Sequence, residues 1–245
     1  MNGINYFCYG EFCSADHDII ITEPPAEVIA ERDAENVSIP GRSGDLILDN
    51  DRYKNVSIVF ECAVIPASGK TLRDAISSIA GSLSTTAEYK RLTSTYDPDH
   101  FRMARVSSGI SVKNIADQAG TFKVLFDCKP QRFFVSYEKP VAMETAGSFW
   151  NASNQPAKPL ITLYGSGPGI LTVGNVTVDI LKLADHITLD CDLMTAYRKI
   201  GEGATENKNS DIYALDFPAL LPGETRISWS GGIKNITIIP RGWEL

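Results

Sequence analysis

The sequence predicts a mainly β protein in two parts. The first is α+β, one helix on an antiparallel sheet, and the second is a run of short strands forming a sandwich or barrel. Three observations carry this reading. Apolar residues alternate in Asn55–Ile65 and again in Thr121–Cys128, a single helical stripe lies between them, and short alternating runs separated by turn residues fill the chain beyond Pro159.

Each element has its own warrant. In NVSIVFECAVI, Val56, Ile58 and Phe60 share one face and Pro66 closes the run; in TFKVLFDC the same role falls to Phe122, Val124 and Phe126. From Thr71 to about Leu83, Leu72, Ile76, Ile79 and Leu83 recur at helical spacing and form one apolar face. Ser68 or Gly69 is the expected N-cap. The later runs are Leu160 to Tyr164, Ile170 to Val173, Val176 to Ile180, Ile187 to Cys191, Arg226 to Trp229 and Ile236 to Ile239. They are punctuated by Gly165-Ser166-Gly167-Pro168-Gly169, which reads as a hairpin turn, and by Gly174-Asn175, the Gly201 to Asn209 stretch and Pro222-Gly223. Two prolines and a small-polar stretch place the boundary between Glu138 and Pro159, giving domains over 1–140 and 150–245. The last strand, about 236–245, is open to assignment to either, and the halves show no internal repeat.

Composition narrows the function. The chain has 245 residues, with 23 Lys and Arg against 30 Asp and Glu, a formal net charge of -7. A nucleic-acid binder displaces counterions with a basic excess, so tight DNA or RNA binding is disfavoured. No run approaches the roughly 20 apolar residues of a membrane span, and the N-terminus lacks the pattern of a secretory signal. The five cysteines, Cys8, Cys13, Cys62, Cys128 and Cys191, are therefore expected to be reduced. Sequons at Asn36, Asn55, Asn151, Asn175 and Asn235 are read as chance in a Ser- and Thr-rich β protein.

No catalytic constellation emerges. Gly69-Lys70-Thr71 precedes a helix, but a phosphate loop needs a glycine where Val64 stands, and Pro66 stiffens the connection. His17, His100 and His186 are far apart, and Cys8-x4-Cys13 has no second pair, so neither supports a metal site. Ser166 stands one place early for a nucleophile elbow. Asp97-Pro98-Asp99 reads as a turn, and a Ca²⁺ loop pattern is missing. Trp229, two residues after Ile227, reads as core or interface. The expectation is no catalytic residue, no cofactor and no metal.

One stretch is more specific. NVSIPGRSGDLILDNDRYKN, from Asn36, followed by a strand, resembles the N-terminal signature of the distal tail (Dit) proteins of long non-contractile-tailed bacteriophages. Ala87 to Ala104 (AEYKRLTSTYDPDHFRMA) and Phe122 to Phe134 (FKVLFDCKPQRFF) resemble later segments of that family, with Gln131 where an aromatic is commoner. Ile187 to Tyr197, Phe217 to Gly223 and Pro240 to Leu245 continue the match in order. The resemblance covers nearly the whole chain and rests on collinearity, since each fragment alone is weak.

The resemblance implies a ring-forming belt domain followed by a galectin-like β-sandwich. It implies a homo-oligomer, a hexameric ring at the distal end of the virion tail, made in the host cytoplasm. Its partners would be the tail tube protein, a tail-associated fibre or lysin protein and a receptor-binding protein, with genome DNA passing the channel unbound and no membrane. A ring needs a head-to-tail interface, and the candidate segment is the loop and strand bearing Pro40, Gly41, Arg42, Gly44, Asp45, Arg52, Tyr53 and Lys54. Two readings stand: a loop laid across a neighbouring subunit, or an intramolecular hairpin with solvated charges. The rival function is a carbohydrate-binding or host-receptor-binding module.

Overall fold

The computed structural model describes residues 5–67, 69–83, 87–116, 119–201 and 203–245. The chain divides at Arg132/Phe133 into a first unit, which also takes Leu245, and a second unit, Phe133–Glu244. Both are mainly β, and Leu72–Leu83 is the α-helix among the described residues.

The first unit is built on an antiparallel sheet. Its strands run in the spatial order Phe12–Cys13, Phe7–Tyr9, Lys90–Ser94, Asp97–Val106, Ala119–Cys128, Val56–Val64 and Ile19–Glu23. The two alternating runs of the sequence lie side by side, with Phe122 opposite Cys62, Val124 opposite Phe60 and Phe126 opposite Ile58. Inward positions therefore stack in rows, and Phe60, Phe122, Val124 and Phe126 are buried. The helix lays Leu72, Ala75, Ile79 and Leu83 onto this core, while Ile76 is only partly buried. Its start is fixed by Thr71. The Thr71 hydroxyl donates to Asp74 Oδ2 at 2.7 Å, and the Asp74 N–H donates back to Thr71 Oγ1 at 3.2 Å. The cap is thus Thr71 rather than Gly69, because only a hydroxyl with a carboxylate three residues on closes the reciprocal pair. Ser68, the other expected cap, lies outside the described residues.

Two further expectations are corrected here. The turn falls at Thr95-Tyr96, since Asp97 already pairs with Ser94, so Asp97, Pro98 and Asp99 belong to a strand. Cys8 and Cys13 are joined in a disulfide, not reduced. The tight Gly10-Glu11 turn sets Tyr9 against Phe12 and hence Cys8 directly against Cys13, a proximity that sequence spacing alone did not reveal. Cys62, Cys128 and Cys191 are free and buried.

The second unit differs from expectation in how its strands connect. Leu160 to Tyr164 and Ile170 to Val173 are the two ends of one strand, Leu160–Val173, and Arg226 to Trp229 and Ile236 to Ile239 both lie in Gly223–Ile239. The glycine-rich run Gly165 to Gly169 is therefore no hairpin turn. It is an irregularity inside the strand, facing Gly231 and Gly232 where the register of the two long strands shifts. A Cβ on Gly165 would lie 2.0 Å from the Gly232 carbonyl oxygen, and one on Gly232 would lie 2.2 Å from that of Ser166. Only glycines let the backbones approach so closely. The strand's neighbours change across this point: Leu160 to Ser166 pairs with Ala184–Asp190, and Gly169 to Val173 with Val176–Ile180. A strand that bends and changes neighbours in this way turns the corner of a sandwich. Its two halves close on one core, which takes Ile161 and Leu163 from one side of the bend and Leu171 and Val173 from the other. Ile227 is fully buried, and Trp229 packs against the core while partly exposed.

Candidate functional site

The stretch that carried the family resemblance forms its own small sheet. Arg32–Val37 pairs antiparallel with Leu46–Tyr53, and neither strand joins the main sheet. Residues 38–45 connect them. Within that connection the Arg42 N–H donates to the Ile39 carbonyl at 3.1 Å, with Gly41 at φ 80°. Proline second and a left-handed glycine third define a type II turn, so Ile39-Pro40-Gly41-Arg42 is rigid for a local reason. Gly44, at φ 84°, redirects the chain into Asp45 and the second strand.

The candidate residues divide between the two ends of this hairpin. Pro40, Gly41, Arg42, Gly44 and Asp45 belong to the connection, whereas Arg52 and Tyr53 end the strand and Lys54 follows it. At about 3.3 Å rise per residue the two groups are separated by roughly 23 Å of strand, so they form no single cluster. The charges at the root are paired within the hairpin. Arg52 Nε donates to Asp33 Oδ2 at 2.6 Å, and Lys54 Nζ lies 3.5 Å from Glu31 Oε1. The Arg52 hydrogen bond holds the Asp33 carboxyl below the usual range. Arg32 donates through Nε to both Asp49 oxygens, at 3.0 and 2.8 Å, reaches Asp51 at 3.0 Å, and lies over the Tyr53 ring at 5.2 Å. Hydrogen bonding to Arg32 likewise keeps the Asp49 carboxyl low. Arg42 and Asp45 at the other end are exposed.

Sequence reasoning missed the apolar residues between these ends. Leu46, Ile47 and Leu48 are 43%, 66% and 47% exposed. Successive strand residues point to opposite faces, so this run makes both faces of the hairpin apolar near its connection. The signal was present as an unbroken Leu-Ile-Leu where a solvated strand would alternate.

The remaining candidates are dispersed. His17 stacks on Phe12 and hydrogen-bonds Ser78 at 3.2 Å, His100 pairs with Asp97 at 2.7 Å, and His186 pairs with Asp185 at 2.8 Å. Among the described residues no group of three His, Cys, Asp or Glu is placed to hold a metal ion. Lys70 reaches Asp18 at 3.8 Å, on the surface. A cavity of about 280 Å³ in the first unit is walled by Pro25, Val28, Phe60 and Leu92, and its charged lining includes the Asp97–Arg132 pair at 3.0 Å.

With this geometry in hand, comparison with known proteins finds a family model and solved structures that the chain resembles. Residues 17–128, which contain the hairpin, the helix and most of the first sheet, match the family model for a phage tail protein RIFT-related domain. The chain is also similar to the crystal structure of the Dit (gp 19.1) protein of SPP1, described there as a paradigm of hub adsorption apparatus in phages infecting Gram-positive bacteria. The TM-score is 0.73 at 10% sequence identity, covering 96% of this chain and 98% of that one. At that identity the likeness establishes a shared fold, while the residues of the site speak through their own geometry. No curated protein sequence matches the chain.

Proposed function

We propose, from the premise that this chain is a phage tail protein with the distal tail fold, that six copies close into a ring joining the tail tube to the fibre or lysin protein at the tip, with the Arg32–Tyr53 hairpin as its contact between subunits. One observation carries this reading. Among the described residues the hairpin pairs with no other strand, it exposes Leu46, Ile47 and Leu48, and a lone two-stranded hairpin is marginally stable in water. Its two edges and apolar end are covered if they lie on the next subunit. Repeating that one contact by rotation gives a closed ring, whereas a two-fold contact would stop at a dimer.

In this arrangement Pro40, Gly41 and Gly44 fix the shape of the connection, and Arg42 and Asp45 supply the charges that meet the neighbour. Arg52, Tyr53 and Lys54 act at the root, where their pairs with Asp33, Arg32 and Glu31 hold the hairpin in shape. A net charge of -7 suits a ring through which DNA passes unbound, because a wall without basic excess repels phosphate. A receptor-binding protein is a further partner of such a tip, and the assembled ring belongs to the distal end of the virion tail.

Light scattering and negative-stain microscopy of the full chain test the reading. A six-fold ring with a central channel is the expected result, and a persistent monomer at high concentration overturns it. Ile47→Asp places a charge in the proposed contact without touching either core, and it should weaken assembly by at least tenfold.

A second reading, sugar binding by the sandwich, draws on Trp150 and Tyr213, which are 67% and 58% exposed on the second unit. Calorimetry with host-wall glycans decides it. Binding that is lost in Trp150→Ala supports this role, and no heat at millimolar glycan ends it.

A further inference from the structure

The five cysteines fall into two chemical classes. Cys62, Cys128 and Cys191 are buried, and burial pushes each thiol up to about 12. Almost none of each is then present as the thiolate that attacks a disulfide. Cys8 and Cys13 are half-buried, bonded to each other, and directly opposite across the hairpin of Phe7–Tyr9 and Phe12–Cys13, with Cα atoms 4.1 Å apart. A small oxidant or reductant reaches this pair and not the others.

The position of the bond gives it leverage. Phe12–Cys13 is the terminal strand of the first unit's sheet, only two residues long, so few backbone hydrogen bonds hold it. Yet the hairpin carries Phe7, Tyr9 and Phe12, all buried. The Phe7 ring lies 4.7 Å from Phe60 and 5.5 Å from Phe126, and the Tyr9 ring 5.2 Å from Phe126. Opening this hairpin uncovers the aromatic centre of the unit.

We propose that the Cys8–Cys13 bond is a redox latch: closed in oxidising surroundings, it pins the outer hairpin of the sheet, and reduced, it lets that hairpin fray from the aromatic core. Closure needs an oxidant, for which a low-molecular-weight disulfide such as oxidised glutathione serves. One cysteine thiolate attacks the small disulfide and releases one small thiol; the other cysteine then displaces the second. The two protein thiols together give up two electrons and two protons, and these leave on the two small thiols. This inference concerns the first unit alone and stands whether or not the chain forms a ring.

Hydrogen exchange read by mass spectrometry on the full chain tests it, after treatment with oxidised glutathione or with dithiothreitol. Alkylation under denaturing conditions should find three reactive thiols in the oxidised chain and five in the reduced one. Reduction should speed amide exchange over residues 7–13 by roughly fortyfold, which is the loop-closure entropy of a ring of about six residues expressed as an equilibrium constant. Exchange over the helix and the second unit should not change. A Cys8→Ser, Cys13→Ser double variant should exchange at the reduced rate in both conditions, and the wild-type comparison stands alone if that variant does not fold. Five alkylated thiols after oxidation, exchange unaltered by reduction, or acceleration across the whole first unit would each overturn the latch.

Discussion

Asp190 illustrates how much a single residue depends on a partner far along the chain. Its side chain is 7% exposed, and both oxygens are held by Arg241, at 2.8 and 3.2 Å. The N–H groups of Asp192 and Leu193 donate to it as well, at 3.1 and 3.2 Å. Burial pushes this carboxyl up, but the hydrogen bonds from Arg241 and the backbone outweigh it and leave the group below its usual range. A carboxyl with a depressed folded pKa stabilises the protein above its unfolded pKa, and that contribution fades as pH falls through the folded value. The melting temperature of the second unit should therefore begin to drop below about pH 4, measured by calorimetry across an acid series. Arg241→Ala leaves the buried carboxylate short of its main partner and should cost about 2–3 kcal/mol at neutral pH. Nothing in the local sequence announces this pair, because 51 residues separate its members.

At the scale of elements, what could be read from the sequence followed from period. Val56, Phe60, Phe122, Val124 and Phe126 alternate because one face of each strand is buried, and the helix stripe from Leu72 to Leu83 is legible for the same reason at a different spacing. The caps and corners were less legible. Thr71→Ala removes the reciprocal pair with Asp74 and should destabilise the first unit by about 1 kcal/mol, read from a denaturant midpoint. Gly232→Ala should be far worse, since its Cβ would meet the Ser166 carbonyl at 2.2 Å, and circular dichroism should show the second unit unfolded or aggregated. Glycine reads as a turn when only its own segment is in view. Here two glycine runs 60 or more residues apart bend two long strands past each other, and only the paired backbones show it. The candidate interface shows the same division. The Pro40-Gly41 turn was legible, whereas the sequence left two roles open for the segment as a whole.

For the whole molecule, the two units have separate cores, one centred on Phe60 and Phe126 and the other on Ile161 and Leu171. Calorimetry at low protein concentration should accordingly resolve two transitions. A single transition would mean that the cores unfold as one. The proposed assembly belongs to this scale too, through the Arg32–Tyr53 hairpin, which forms a separate two-stranded sheet. By itself the sequence determined the mainly β class, the place of the helix, the buried faces of the first sheet and, through an ordered series of weak motifs, the likeness to distal tail proteins. These are local in character: periodicity and turn chemistry act over a few residues, so they survive in a one-dimensional string. Only the tertiary structure decided that Cys8 bonds Cys13, that the glycines of the second unit form a corner, that Asp190 is held by Arg241, and that Leu46, Ile47 and Leu48 remain in solvent. Each of these depends on which chain segment packs opposite, and burial and register between distant strands are fixed when the cores close.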